Sequence, residues 1–359
     1  MAGVLGLDTS NYPTSAAWFD GTGGDNTGKL LEVPQGALGL RQSEALFQHV
    51  KRLPAILEDL KAAGLPLVLT AIGASTRPRE VEGSYMPCFL AGESQGKAMA
   101  SVLEVPFYAC SHQQGHIAAA AWSAGRMDLL NQPHLVWHLS GGTTELLYVV
   151  PDGAMVQATC IGGTSDISAG QLIDRTGKKL GLPFPAGKAV DELSLQARDK
   201  THFRVKVSDC TFSFSGIENK MNALAEGGTP PAEVCWYVLS SIIQGVETAT
   251  QQALVRYPGL PVLCAGGVAS NQLLRQRMTK ACGAVFAEPR FSTDNAMGVA
   301  ILTWRIHSKE GLCPNLSPSL PSTNISRDCW TGIDCCPRYW SAVKFQIIKC
   351  IPPATIIFL

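Results

Sequence analysis

Val4-Leu5-Gly6-Leu7-Asp8-Thr9-Ser10-Asn11-Tyr12-Pro13-Thr14-Ser15-Ala16-Ala17-Trp18-Phe19-Asp20 is the stretch on which the reading of this chain turns. An apolar run enters a corner rich in hydroxyl, carboxamide and carboxylate groups, and a second apolar run leaves it, which is the pattern of a β-hairpin. The same figure returns far downstream: Leu135-Val136-Trp137-His138-Leu139 enters Ser140-Gly141-Gly142-Thr143-Thr144-Glu145, and Leu146-Leu147-Tyr148-Val149-Val150 leaves it. Two such hairpins, each followed by strand and helix signals, predict two related α/β halves facing a cleft.

Outward from the first hairpin, apolar residues at Leu46, Val50, Leu53, Leu57 and Leu60 predict a helix over 43–64, with Pro54 inside it and Gly64 as its stop. A strand over 67–72, a helix over 92–102 and a strand over 105–109 follow. After the second hairpin, 169–180 and 232–257 read as helices and 261–265 as a buried strand. Gly266-Gly267-Val268-Ala269-Ser270-Asn271 is expected to open a helix through Met278, and 294–306 is a last helical stretch. The expected division is 1–125, 126–310 and a tail, 311–359.

With 359 residues, of which 46% are hydrophobic and 16% charged, the chain can bury a large core or two medium ones, which excludes disordered and fibrous classes. The 29 Lys and Arg balance the 29 Asp and Glu, so a nucleic-acid or membrane-surface role would need a local patch. No apolar run approaches the ~20 residues of a membrane helix, and the start lacks the basic and apolar regions of a signal peptide. A soluble cytoplasmic protein is expected. Seven of the 12 cysteines stand singly between Cys88 and Cys282 and read as buried thiols. The other five lie in 311–359 without a C-x-x-C pair, and that segment, lacking any helical or alternating period, reads as a poorly ordered or aberrant extension.

Three corners of Gly and Ser/Thr type, Asp8–Ser15, Ser140–Thr144 and Gly266–Asn271, suit phosphates, because absent side chains let backbone N–H groups face an anion. Together they imply a nucleotide between the halves. His112 and His116 are four apart in Ser111-His112-Gln113-Gln114-Gly115-His116, so on a helix they share a face and suit one metal ion; two ordinary histidines are the alternative. Gln113 stands where a zinc protease would have its glutamate base, which disfavours that reading. Asp294 is the best candidate for a third ligand, or else it caps a helix. Asp174 and Asp191 flank the turn Leu180–Gly187 and suit sugar hydroxyls, or are solvated turn charges. Two basic clusters, Arg198 to Lys206 and Arg275 to Lys280, suit phosphates or are solvated faces.

In order along the chain, Leu5–Ser10, His112 with His116, Ser140-Gly141-Gly142, Ala169-Gly170 with Asp174, Leu180–Pro183, Phe212–Gly216, Ala265–Val268 with Asn271, and Thr293–Asn295 resemble the tRNA N6-adenosine threonylcarbamoyltransferase family. The resemblance runs from about Val4 to Trp304. It implies an α/β fold of two duplicated actin-like, ribonuclease H-like (ASKHA) lobes around a nucleotide cleft. It implies one transition metal ion, Fe2+ or Zn2+, on His112, His116 and Asp294, with Asp8 and Ser10 as catalytic residues. Threonylcarbamoyl-adenylate would meet Leu139, Ser140, Gly141, Gly142, Thr143, Asp174, Gly187, Asp191 and Asn271. The acyl group would pass to N6 of the adenosine beside the anticodon of tRNA, with a paralogous dimerisation subunit and an ATPase as partners. The sequence departs from the family at Gln114 (usually Glu), Thr143 (usually His), Gln171 (usually Glu) and Asn11–Thr14. A non-catalytic nucleotide-binding paralogue and an ASKHA-type small-molecule kinase are the alternatives.

Overall fold

The computed structural model of the chain describes residues 2–10, 12–33, 40–66, 68–200, 204–291 and 296–311. The expectation for the tail beyond 311 lies outside the described residues.

The first hairpin is β1 (Ala2–Thr9) against β2 (Pro13–Phe19), antiparallel and in register from Val4–Phe19 to Thr9–Thr14. A polar edge strand, β3 (Gly24–Leu30), extends it, and β4 (Val68–Arg77) and β5 (Phe107–Ser111) join on the other side, parallel to β1. The sheet order is β3-β2-β1-β4-β5. The second hairpin repeats the plan: β6 (His134–Leu139) pairs antiparallel with β7 (Thr144–Asp152), β7 with β8 (Met155–Thr164), while β10 (Val262–Ala265) and β11 (Val285–Phe286) lie parallel on the far side of β6. With the edge strand β9 (Thr211–Phe212), the order is β11-β10-β6-β7-β8-β9. One five-strand plan therefore occurs twice, as the recurring hairpin predicts.

Helices α1 (Gln42–Ala62) and α2 (Leu90–Leu103) cover one face of the first sheet, where Leu5, Leu7, Leu53, Leu60 and Ile72 are buried together. Helices α4 (Ala169–Lys179), α5 (Gly187–Ser194), α6 (Ser215–Glu226), α7 (Pro231–Arg256) and α8 (Gln272–Cys282) belong with the second sheet around Leu135, Trp137 and Ile242. Between the sheets lie α3 (His112–Ser123) and α9 (Ala296–Gly311), in one core with Val4 and Ala71 of the first sheet and Val136, Leu147 and Leu263 of the second. Helix α9 also packs on β1, β2 and β4, although chain order puts it in the second half. Among the described residues no helix is long and apolar enough to cross a membrane. The seven described cysteines are free thiols and five of them are buried.

Small residues make this middle layer possible. Ala118 to Ala121 are buried on α3. A β-carbon at Gly298 of α9 would overlap the Gly115 carbonyl of α3, and one at Gly6 of β1 would overlap the backbone of Ala300. Both glycines are required by close approach of backbones, not by positive φ. The helix expected from Gly266 starts six residues later. Gly266 takes φ +97, a 3-10 turn spans Gly267–Ser270, and Asn271 caps α8 by accepting from the Leu274 N–H at 2.8 Å. The Phe212–Gly216 motif forms a clip, in which Asp166 accepts from the N–H groups of Phe214 (2.9 Å) and Ser215 (3.1 Å) and from the Ser213 hydroxyl.

Replacing Gly298 with Ala should therefore cost roughly 2–4 kcal/mol, because the backbones cannot separate without opening the middle layer. Gly216→Ala, where a β-carbon meets nothing within 4 Å, should be neutral or slightly stabilising. Urea unfolding of the two variants checks this, and equal midpoints would refute the packing argument.

Candidate active site

Strand β5 runs directly into α3, and Ser111 caps the helix: its hydroxyl accepts from Gln114 N–H at 3.2 Å, while the Gln114 side-chain oxygen accepts from Ser111 N–H at 2.8 Å. His112 and His116 emerge on one face with ring centroids 4.6 Å apart. His112 Nδ1 lies 3.1 Å from Asp8 Oδ1, and the Ser75 hydroxyl donates to the same oxygen. Burial acts to raise the Asp8 pKa, but His112 and the hydroxyls of Ser75 and Ser10 outweigh it and hold the carboxyl below its ordinary value. His116 is held well below the ordinary histidine value, chiefly by burial and then by His112 and His138 beside it. It is a neutral imidazole at pH 7.

His138, on β6, stands on the other side of His116 with centroids 4.8 Å apart, and burial pushes it down to about 4. One residue later the chain enters the second corner. There Ser140 N–H donates to Thr143 C=O at 2.8 Å, and Thr143 N–H to the Ser140 hydroxyl at 3.0 Å. A β-carbon at Gly141 or Gly142 would meet nothing within 4 Å, so their backbone is open to a ligand. The start of α4 is stitched to this corner. Ser168 donates to Gly141 C=O at 2.7 Å, Ala169 N–H donates to the Thr144 hydroxyl at 2.8 Å, and Gly170 fits only because it has no side chain. The third corner lies alongside, since His138 pairs with Ala265 and a β-carbon at Gly266 would overlap the backbone of Leu139. Asn271 then donates to Asp191 at 2.7 Å.

The structure thus joins the second and third corners through Leu139–Thr143, Gly170, Asp191 and Asn271, and the first corner to the histidines through Asp8. Leu139, expected to meet the substrate, is fully buried. Asp8 and Ser10, expected as catalytic, are 0% and 4% exposed, and Asp8 faces His112. Asp174 accepts from Ala186 N–H at 2.9 Å, and Gly187 opens α5 beside it. A cavity of about 510 Å³ follows that turn, lined by Arg175, Lys178, Leu182 and Phe184, and shares only Asp174 with the expected substrate set. Asp294 lies outside the described residues, and among those described no three His, Cys, Asp or Glu side chains form a group able to hold a metal. Arg275 and Arg277 are used within the fold, on the carbonyls of Ala269 and Ala287 and on Glu247.

The reading of the sequence missed Ser75 and His138. Only His138 left a signal, as a polar residue in an apolar strand. It also missed why two glutamates are glutamines here. Gln171 closes a capping box with Ser168, as Gln114 does with Ser111, and Gln114 also donates from Nε2 to Val156 C=O at 2.7 Å, tying α3 to β8.

A doubled five-strand plan with corners at the carboxyl ends of β1, β6 and β10 defines an actin-like, ribonuclease H-like (ASKHA) α/β protein. Solved structures share it. Component A of (R)-2-hydroxyglutaryl-CoA dehydratase from Acidaminococcus fermentans matches with TM-score 0.51 at 15% identity, over 86% of this chain and 100% of that one. Full-length HypF matches with TM-score 0.54 at 11% identity, over 86% of this chain and 46% of that one. The family model for tRNA N6-adenosine threonylcarbamoyltransferase (TsaD) matches residues 35–301, and the chain belongs to that family of transferases. A relative of that name from Thermus thermophilus is 33% identical over 85% of this chain and 93% of its own length. One from Streptococcus equi subsp. equi is 32% identical over 79% and 85%.

Gln114→Glu should lower stability at pH 7 by about 1–3 kcal/mol, because a buried carboxylate would face the Val156 carbonyl. The loss should shrink in acid, where a protonated glutamate can donate; a loss independent of pH would contradict it. In the parent protein, His49, His116, His134 and His138 are all held low, mainly by burial. The unfolded chain therefore binds more protons below about 6.5, and stability should fall by roughly 4 kcal/mol between pH 7 and pH 5 from His116 and His138 together. Urea midpoints at the two pH values measure this, and an unchanged midpoint would disprove it.

Proposed function

We propose that this protein transfers the threonylcarbamoyl group from threonylcarbamoyl-adenylate to N6 of the adenosine beside the anticodon of tRNA. The observation that carries this reading is the unbroken line from Asp8 through His112, His116 and His138 to the open backbone of Gly141 and Gly142. It supports an acyl-adenylate lying between the imidazoles and the second corner. Family membership supports the substrate class.

The donor set fits a transition metal ion: His116 is neutral, its ring lies 4.6 Å from that of His112, and Asp8 fixes the His112 ring with Nδ1 facing the carboxylate. His112 and His116, with Asp294, would hold Fe2+ or Zn2+. Such an ion supplies Lewis acidity toward the acyl carbonyl. Gly141, Gly142 and Thr143 would cradle the phosphate, while Asp174, Gly187, Asp191 and Asn271 would take the nucleoside. Burial raises the Asp191 pKa, while Asn271 and the Gln272 N–H hold the carboxylate in place for ribose hydroxyls.

In the transfer, the N6 nitrogen bonds to the carbamoyl carbon and the bond from that carbon to the phosphate oxygen breaks. Its electron pair leaves on AMP, and the N6 proton passes to solvent. Each sheet would be the centre of one lobe, 1–125 and 126–310. A paralogous dimerisation subunit and an ATPase would assist, in the cytoplasm.

The test is to incubate the protein, its partners, threonylcarbamoyl-adenylate and unmodified tRNA, and to measure modified adenosine by mass spectrometry. His112→Ala and Asp191→Ala should each lower the yield at least about 10²-fold with the fold retained. Thr143, in place of the usual histidine, favours the second reading, a nucleotide-binding paralogue. Adenylate binding without any modified adenosine would establish that instead.

A further inference from the structure

A cavity of about 10 Å³ lies beside α3, and its polar lining is three side chains: Gln113, His116 and His138. Ile117, Val136, Leu147 and Ala265 complete the wall. The three side chains are half-buried, the volume is about that of one water molecule, and such a water is held when two to four polar groups meet it. Among the described residues none of the three side chains hydrogen-bonds a protein group. We propose that His138 is a positioning residue that holds the His116 ring through one bridging water shared with Gln113.

The inference rests on the reading of His112 and His116 as metal ligands. An imidazole that binds a metal through one nitrogen normally donates from the other to a fixed partner, which sets both tautomer and ring orientation. For His112 that partner is Asp8. For His116 the cavity supplies it: the ring N–H donates to the water, whose two hydrogens go to a ring nitrogen of His138 and to the amide oxygen of Gln113. All three groups sit on rigid elements. Gln113 and His116 are on α3, whose start is further fixed by Gln113 N–H donating to Pro78 C=O at 3.0 Å, and His138 is on β6, paired on both sides. This arrangement belongs to a chain that has Thr143 in the second corner and a histidine on the strand leading into it.

The full chain is tested as wild type, His138→Phe, which fills the ring space without an acceptor, and His138→Gln, which restores one. Two-bond nitrogen–proton spectra of the metal-free protein read the His116 tautomer, and competition with a chromophoric chelator reads zinc affinity. Wild type should show a single His116 tautomer. His138→Phe should show a mixture and about 10-fold or more weaker zinc binding, with most of both effects reversed in His138→Gln. An unchanged tautomer and unchanged affinity in His138→Phe would overturn the proposal, as would a high-resolution crystal structure with a dry cavity or a metal ion in it. A wild type that binds no zinc, yet loses its single tautomer on His138→Phe, would reject the metal reading while keeping the water bridge.

Discussion

Helices α3 and α9 meet backbone to backbone at Gly115 and Gly298, and both are pressed between the two sheets. No side chain fits at that crossing, so the spacing of the middle layer is set by the main chain itself. Gly115 is the residue immediately before His116. The contact that closes the core therefore also fixes the helix turn from which both imidazoles project. Gly6, one residue before the apolar turn into the Asp8 corner, meets α9 in the same way on the other side. A single small-residue packing layer thus positions the carboxylate and the two histidines relative to each other.

On that layer sits a line of polar side chains in otherwise apolar surroundings. Asp8 bonds His112, the His112 and His116 rings are in contact, and His138 continues the row onto the second sheet. Burial is what keeps the imidazoles of His116 and His138 neutral, and neutrality is what ligation or hydrogen-bond acceptance requires. The same burial means the row destabilises the fold in acid.

The departures from the family pattern look different once the helix starts are seen. Gln114 and Gln171 each occupy the third position of a helix and close a capping box with a serine, a job that glutamate and glutamine both perform. At 114 the amide has a further use, because only a donor can bond the Val156 carbonyl. The substitution therefore reads as a join between α3 and the second sheet. Thr143 has no such explanation in the fold.

The duplicated hairpins, the long helices and the pairing of His112 with His116 were all legible in the chain, because period-2 and period-3.6 patterns and a four-residue spacing are local properties. Edge strand β3, Gly24 to Leu30, was not, since an exposed polar strand carries no apolar alternation. Nor were Ser75 and His138, which join the site through a contact spanning 67 residues and, for His138, the approach of β6 to α3. The start of α8 turned on the positive φ of Gly266, which follows from its squeeze against Leu139. What sequence determined was which segments are strands, helices and open corners. Which corners meet, and which buried groups face each other across the middle layer, was decided by tertiary packing, because close backbone approach and desolvation are properties of neighbours far apart along the chain.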